Sequence, residues 1–132
     1  MNAAEDELAV LWWAATAEER LLLQRCARCG YLHHPPRAMC TSCGLLLIDS
    51  DHDYVEASGR GVVDAYTVVH RAPAPGVETP FTVARVRLAE GPILLTWLVG
   101  VSDPACDLPV RLAWRRLPDG RNLPVFTSTR EE

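Results

Sequence analysis

Four of the chain's five cysteines lie in two short motifs of the same kind, CARCG and CTSCG, with ten residues between the second cysteine of one and the first of the next. Two Cys-x-x-Cys pairs supply four soft ligands within tetrahedral reach of one ion, which suits Zn²⁺. The glycine after each pair permits the tight turn that aims backbone N–H groups at the sulfurs. The motifs predict a zinc ribbon, with iron in a rubredoxin-like site as the alternative and with these ligands: Cys26, Cys29, Cys40 and Cys43.

The predicted metal is structural and not catalytic. Four protein ligands close the coordination shell and leave no position for water or substrate. His33 and His34 lie between the motifs but are disfavoured as ligands, because four cysteines are available. Cys106 stands alone in a predicted loop, where we expect a small packed hydrophobe.

Charge and composition favour a cytoplasmic protein with no membrane segment. Glu5, Asp6 and Glu7 stand where a signal peptide would carry positive charge. The longest apolar run, Ile93–Val101, is too short to span a bilayer. In a reducing compartment, paired Cys-x-x-Cys motifs indicate metal binding or redox chemistry more often than disulfides. The net charge of −4 disfavours nucleic acid as a partner.

The N-terminal segment, residues 4–15, predicts a short amphipathic helix. Leu8, Leu11, Trp12 and Ala15 are spaced to share one face, and Trp13 lies beside them. This is more apolar surface than a small ribbon covers, and large exposed apolar patches mark partner sites. The helix is therefore expected to contribute a partner interface made by Leu8, Leu11, Trp12 and Trp13.

The rest of the chain predicts strands. Residues 20–25 favour a strand that enters the first cysteine motif, although Thr16 and Glu19 match a capping box that would make them a helix. After Val55 come about five strands, with a bulge or bend at Gly59 and Gly61, a proline-rich loop at 70–80, and turns at 90–92 and 118–120. A five-stranded OB-fold barrel suits this pattern. The predicted organisation is mainly β: N-terminal helix 1–19, ribbon 20–50, OB-fold 51–132.

Taken together, these motifs resemble a known family. The segments LWWAATAEERLLLQRCARCGYLHHPPRAMCTSCG, GRGVVDAYTVVHRAPAPG and EGPILLTWLVG resemble the zinc-ribbon plus OB-fold proteins catalogued as domain of unknown function thirty-five. The resemblance extends from about Leu8 to Phe126. The chain departs from the family pattern at Trp97, where the family often has a smaller or polar residue, so the resemblance does not define the shape of a ligand channel there.

The resemblance implies a non-catalytic accessory subunit of an acyl-CoA enzyme complex. Members of the family pair with thiolase-fold proteins, including steroid side-chain aldolases, thiolases and acyltransferases, and others associate with hydratases. The OB-fold then helps to form the acyl-CoA channel while the partner carries the catalytic residues. A thiolase-fold dimer would give a heterotetramer, and an aldolase or lyase acting on acyl-CoA, as in steroid side-chain degradation, is the expected activity.

The residues agree that the chain carries no catalytic centre of its own. The sequence shows no nucleophile with an adjacent base, no paired carboxylates and no phosphate-binding glycine loop. Two residues are candidates for acyl-CoA contact. Arg37 could pair with a phosphate of CoA, and His70 could contact CoA, against the alternatives of an exposed arginine and a strand-end histidine.

Three other functions compete with this one. The first is a single-stranded nucleic-acid-binding module, since zinc ribbons and OB-folds often have that role. The second is a subunit of a thiolase-type acyltransferase complex. The third is a free-standing acyl-CoA carrier, which would be a monomer that binds its ligand alone.

Overall fold

The computed structural model describes residues 7–47 and 52–129. These residues form one helix and eight strands, so the predicted mainly β class is confirmed. In chain order the elements are α1 (Glu7–Ala17), β1 (Leu22–Cys26), β2 (Leu32–His33), β3 (His52–Glu56), β4 (Arg60–Val69), β5 (Phe81–Leu88), β6 (Ile93–Leu98), β7 (Pro109–Arg116) and β8 (Asn122–Ser128).

The described chain divides into two compact units. The first contains the described residues up to Ser58 together with Arg116–Leu123, which is the turn between β7 and β8 with the strand ends beside it. The second contains Gly59–Arg115 and the described residues from Pro124 onward. The predicted domain limits of 1–19, 20–50 and 51–132 stay a prediction.

The helix buries only part of the apolar stripe that its spacing predicts. Trp12 and Ala15 are only 7% and 5% exposed, whereas Leu11 is 59% exposed in the described chain. The buried stripe continues to Thr16, whose backbone carbonyl accepts a hydrogen bond from Asn122 Nδ2 at 3.0 Å. A polar anchor at the end of the helix therefore fixes which face turns inward. No helix in the described part of the chain is long and apolar enough to cross a membrane.

A three-stranded sheet in the order β2-β1-β3 leads the chain into the first cysteine motif. The strand predicted at residues 20–25 is confirmed as β1, which pairs antiparallel with both neighbours. Leu21 and Leu23 are almost completely buried. Cys26 is the last residue of this buried strand, so the sheet fixes the position of the first ligand.

The second unit is built on a closed five-stranded barrel in the order β4-β5-β6-β8-β7, which confirms the predicted OB-fold. Along β5, every second residue from Thr82 to Leu88 is buried, as expected for a strand with one face in a core. Phe126 is fully buried in the same interior. The core side chains come from all five strands and include Val63, Val86, Leu94, Val110 and Phe126.

The start of β4 carries the bend predicted there, but the bulge lies further along. Gly59 has a left-handed φ of 88° just before the strand. The register between β4 and β5 shifts between Val63 and Ala65, so of the two predicted alternatives, a bulge or a bend, Gly59 shows the bend. At Gly61 the chain instead needs glycine for space, because a Cβ there would lie 2.7 Å from the backbone oxygen of Arg87.

This close approach gives a first prediction. Gly61→Ala should lower the free energy of unfolding by about 1–3 kcal/mol, because overpacking against backbone forces the strands apart. Gly76→Asn is the control, since nothing lies within 4 Å of a Cβ at Gly76 and asparagine tolerates its left-handed φ of 86°. Denaturant unfolding of both variants measures the effect. Equal stability of the two variants would show that the barrel accommodates a Cβ at Gly61 without loss of stability.

Candidate metal centre

The two cysteine motifs fold into turns of the same geometry. In each, the N–H of the glycine donates to the carbonyl of the first cysteine at 2.9 Å, Gly30 to Cys26 and Gly44 to Cys40. Both glycines have left-handed φ values, 77° and 80°, which a residue without Cβ adopts at no steric cost. The repeated motif in the sequence is therefore a repeated backbone structure.

These turns bring the four sulfurs together. The Sγ atoms of Cys26, Cys29, Cys40 and Cys43 all lie within 4.8 Å of one another. Two of the separations are 3.7 Å, from Cys26 to Cys43, and 3.6 Å, from Cys29 to Cys40. A tetrahedral zinc site with Zn–S bonds of about 2.3 Å has sulfur–sulfur edges of about 3.8 Å. The four cysteines are thus positioned to bind one metal ion, in agreement with a structural zinc.

The pKa values of the cysteine thiols also favour a bound cation. Burial raises the pKa of the Cys40 thiol, but the backbone N–H groups of Cys43 and Ser42, together with the neighbouring His33 side chain, outweigh burial and lower it to about 5. The N–H of Leu45 lowers the pKa of Cys43, yet burial and the neighbouring cysteine sulfurs outweigh it and raise that pKa to about 11. One thiolate repels a second negative charge a few ångströms away, so it makes ionisation of the neighbouring thiol unfavourable. A divalent ion removes this conflict by stabilising all four thiolates.

The metal centre is also the small hydrophobic core of the ribbon. Cys26, Cys40 and Leu47 are almost completely buried in one cluster, and Cys43 and Leu45 pack against it. A cluster of this size offers little apolar surface to stabilise the ribbon. Metal binding is therefore expected to supply the folding free energy of this segment.

The two histidines between the motifs do not belong to the sulfur cluster. His33 is 3% exposed and lies beside Cys40, and the group of potential metal ligands contains the four cysteines without it. Burial, helped by the charge of Arg37, lowers the pKa of His34 to about 4, which keeps this imidazole neutral at pH 7. Its ring lies 5.6 Å from that of Trp12.

Arg37, one of the predicted acyl-CoA contacts, has its backbone held by a buried amide. Gln24 Nε2 donates to the Arg37 carbonyl at 3.0 Å, and the Arg37 N–H donates to Gln24 Oε1 at 2.8 Å. Gln24 is fully buried, so these bonds fix the loop between the motifs. The motif pattern does not reveal this role, although one polar residue in the apolar run LLLQ was a signal. The Arg37 residue itself is exposed.

The remaining predicted residues lie outside the metal centre. His70 is exposed directly after β4 and belongs to the second unit, whereas Arg37 belongs to the first. The predicted contact of both with acyl-CoA stays a prediction. Cys106 is exposed, so its predicted burial was wrong.

The predicted interface residues on α1 differ in their surroundings. The side chain of Leu8 lies outside the described residues. Leu11 is exposed, whereas Trp12 is buried and packs edge-on against Trp13 with ring centroids 4.7 Å apart. The Trp13 ring is covered by the guanidinium of Arg121 at 4.7 Å. The role of these residues in a partner interface stays a prediction, and Leu11 is the one whose described side chain is largely exposed.

Sequence profiles of known families match both parts of the chain. Residues 13–44 match the profile described as "ChsH2, rubredoxin-like zinc ribbon domain", and residues 54–115 match "ChsH2, C-terminal OB-fold domain". These ranges contain the cysteine cluster and most of the barrel described above.

Two curated relatives are longer than this chain. A probable enoyl-CoA hydratase alpha subunit of Thermomonospora curvata is 43% identical over 117 residues, which is 87% of this chain and 35% of that protein. The 3-oxo-4,17-pregnadiene-20-carboxyl-CoA hydratase alpha subunit of Mycobacterium tuberculosis is 34% identical over 122 residues, 90% of this chain and 37% of that protein. The chain thus spans about a third of the length of each relative.

A solved structure matches over the whole length. A chain of the structure described as "Ltp2-ChsH2(DUF35) aldolase" is 39% identical, with a TM-score of 0.86 over 98% of this chain and 100% of that one. The similarity covers helix, ribbon and barrel together. The chain therefore belongs to the ChsH2-type DUF35 family of zinc-ribbon and OB-fold proteins.

Proposed function

We propose that this chain is a non-catalytic accessory subunit of an acyl-CoA enzyme complex and that its partner is a thiolase-fold protein. The observation that carries the proposal is the similarity to the DUF35 chain of an aldolase, which covers 98% of this chain and all of that one. An aldolase or lyase acting on an acyl-CoA, such as a steroid side-chain intermediate, is the proposed activity of the complex. A dimeric partner would give a heterotetramer of two and two.

The metal centre supports a structural role for the chain. Four sulfurs close the shell of one ion, so no ligand position is left for an activated water or a polarised carbonyl. The ion, when bound, stabilises the ribbon that follows α1. The hydratase names belong to proteins of which this chain covers 35% and 37%, so hydratase activity is not proposed for this chain.

The helix offers one surface for the partner. Val10 and Leu11 on α1 are 47% and 59% exposed. Exposed apolar side chains that lie next to each other favour burial against another protein. Within the predicted interface, we therefore propose Leu11 as a direct contact and Trp12 and Trp13 as the packing that holds the helix in place.

Turnover of an acyl-CoA tests the non-catalytic role. The purified chain alone should show no aldolase, thiolase or hydratase activity, because its sequence shows no nucleophile with an adjacent base and no paired carboxylates. Addition of the purified thiolase-fold partner should give activity that neither protein shows at the same level alone. Release of product by the chain with its partner rigorously absent would contradict the proposal. Carbon–carbon cleavage distinguishes an aldolase complex from an acyltransferase complex, which would transfer the acyl group instead.

The barrel provides one observation in favour of the nucleic-acid alternative. Phe81 and Trp97 form an aromatic pair on β5 and β6, with ring centroids 5.2 Å apart, on the strands where OB-folds bind oligonucleotides. The nearby arginines are less available, since Asp64 lies 3.7 Å from Arg85 and 3.2 Å from Arg87. Sub-micromolar binding of single-stranded DNA with a steep salt dependence would favour this alternative.

A further inference from the structure

The second unit has a cleft at one end of the β5–β6 face that no predicted contact residue explains. Its volume is about 810 Å³, which is within the range of small-molecule sites. The walls come from the loop before β5, the first residues of β5, the end of β6 with the segment that follows it, and the end of β7. Neither His70 nor Arg37 lines it.

The cleft contains an aromatic platform with a positive charge on it. The guanidinium carbon of Arg115 lies 4.9 Å from the centre of the Trp97 ring, and the Phe81 ring packs at 5.2 Å from that ring. Arg115 has no ion pair with a carboxylate in the described part of the chain. The indole of Trp97 holds the guanidinium of Arg115 in place. The N–H groups of the guanidinium stay available to another acceptor.

A guanidinium fixed on an aromatic ring suits an acceptor with two oxygens, because its donors match a phosphate or carboxylate in a fork geometry. The apolar neighbours Val77 and Val99 extend the platform, and Thr82 and Ser102 add hydroxyls. We propose that this cleft binds a small organic anion, whose phosphate or carboxylate pairs with Arg115 and whose apolar part lies against Phe81 and Trp97.

One group in the cleft opposes an anion. The exposed residue Glu78 lies in the same wall, and its carboxylate lowers the local positive potential. Removing this charge should therefore strengthen binding, whereas removing the charge of Arg115 should weaken it. A cationic ligand would show the opposite pattern. The two substitutions together therefore show whether the bound ligand carries a negative or a positive charge.

Calorimetric titration of the zinc-loaded full chain tests the proposal with three probes. Coenzyme A carries phosphates with an aromatic base, octanoate carries a carboxylate with an alkyl chain, and inorganic phosphate has no apolar part. We expect coenzyme A or octanoate to bind at least about tenfold more tightly than phosphate, because only these contact the platform. The probe that binds identifies the source of the anion. Absence of a difference between all three would overturn the proposal.

Variants locate the binding. Arg115→Gln should weaken the preferred probe about tenfold or more, as expected for loss of a charge-assisted pair, and Glu78→Gln should tighten it about two- to threefold at low salt. Arg111→Gln is the matched control, since Arg111 is an exposed arginine of the same strand outside the cleft. Arg115→Lys preserves the charge if the glutamine variant misfolds and should weaken binding to a smaller extent. Unchanged affinity in a folded Arg115 variant, or weaker binding in Glu78→Gln, would overturn the proposal.

Binding to this cleft is independent of the proposed function, because it is measured on the chain alone. A chain that binds its partner but none of the probes contradicts the cleft and leaves the complex intact. A chain that binds a probe but no partner contradicts the proposed complex and leaves the proposed cleft intact.

Discussion

Cys40→Ser is expected to abolish high-affinity metal binding and unfold the ribbon. The Cys40 sulfur is one of four within 4.8 Å of one another, and the residue lies in the small cluster that forms the ribbon core. Structural zinc contributes about 10–16 kcal/mol to the folding of small zinc domains, which exceeds what this cluster can replace. Zinc content by mass spectrometry should fall from about one equivalent to near zero, with loss of the cooperative unfolding transition of the ribbon.

Cys106→Ser is the matched control for this variant. It makes the same chemical change at an exposed cysteine outside the cluster, so zinc content and stability should stay close to those of the unchanged chain. Removal of zinc with a chelator should reproduce the effect of Cys40→Ser. Equal damage from both serine variants, or a chelator-treated chain that keeps its full stability, would contradict a structural metal at these four cysteines.

Trp12→Ala is expected to lower the free energy of unfolding by about 3–5 kcal/mol, the usual cost of removing a buried aromatic side chain. Trp12 is 7% exposed and its ring contacts those of Trp13 and His34. Loss of this ring leaves a cavity beside the helix and the loop between the cysteine motifs. Denaturant unfolding of the zinc-loaded chain measures the change.

Leu11→Ser separates partner binding from packing. Leu11 is exposed, so its substitution should change stability by less than about 0.5 kcal/mol. If this surface contacts the partner, the same variant should weaken association severalfold or more. Ala14→Ser, at another exposed position of α1, is the control for a helix change without an apolar contact. A large stability loss in Leu11→Ser, or none in Trp12→Ala, would show that the helix packs differently.

The metal site was largely predictable because its information is local. Each cysteine pair and its glycine lie within five residues, and the same hydrogen bond from glycine to cysteine closes both turns. The alternation of β5 likewise predicts a strand, since the polar positions Arg85 and Arg87 fall on one face and Val86 and Leu88 on the other. In such elements, short-range pattern and final structure agree.

The face of the helix could not be derived in the same way. The segment ELAVLWWAATA has apolar residues around most of its circumference, so its periodicity does not select one buried side. The hydrogen bond from Asn122 to the Thr16 carbonyl joins residues 106 apart in sequence. Such a contact carries no local signal, and it helps to fix the face that buries Trp12 and leaves Leu11 exposed.

The cleft is also assembled from distant residues. Pairing of β5 with β6 brings Phe81 and Trp97 together, and Arg115 reaches them from β7, which does not pair with either strand. The sequence shows Trp97 as a departure from the family pattern but gives no reason to connect it with Arg115. A cation over an aromatic ring has no fixed sequence spacing, so it becomes visible only in the folded unit.

Purification of the tagged full chain from the cells that produce it, with the mass of the intact complex measured, tests the central claim most directly. We expect one thiolase-fold protein in equimolar amount, at the mass of a heterotetramer, and a reduced amount of that protein when Leu11→Ser is purified in the same way. Recovery of the zinc-loaded chain as a monomer, or with nucleic acid in place of a thiolase-fold protein, would contradict the assignment as an accessory subunit of an acyl-CoA enzyme complex.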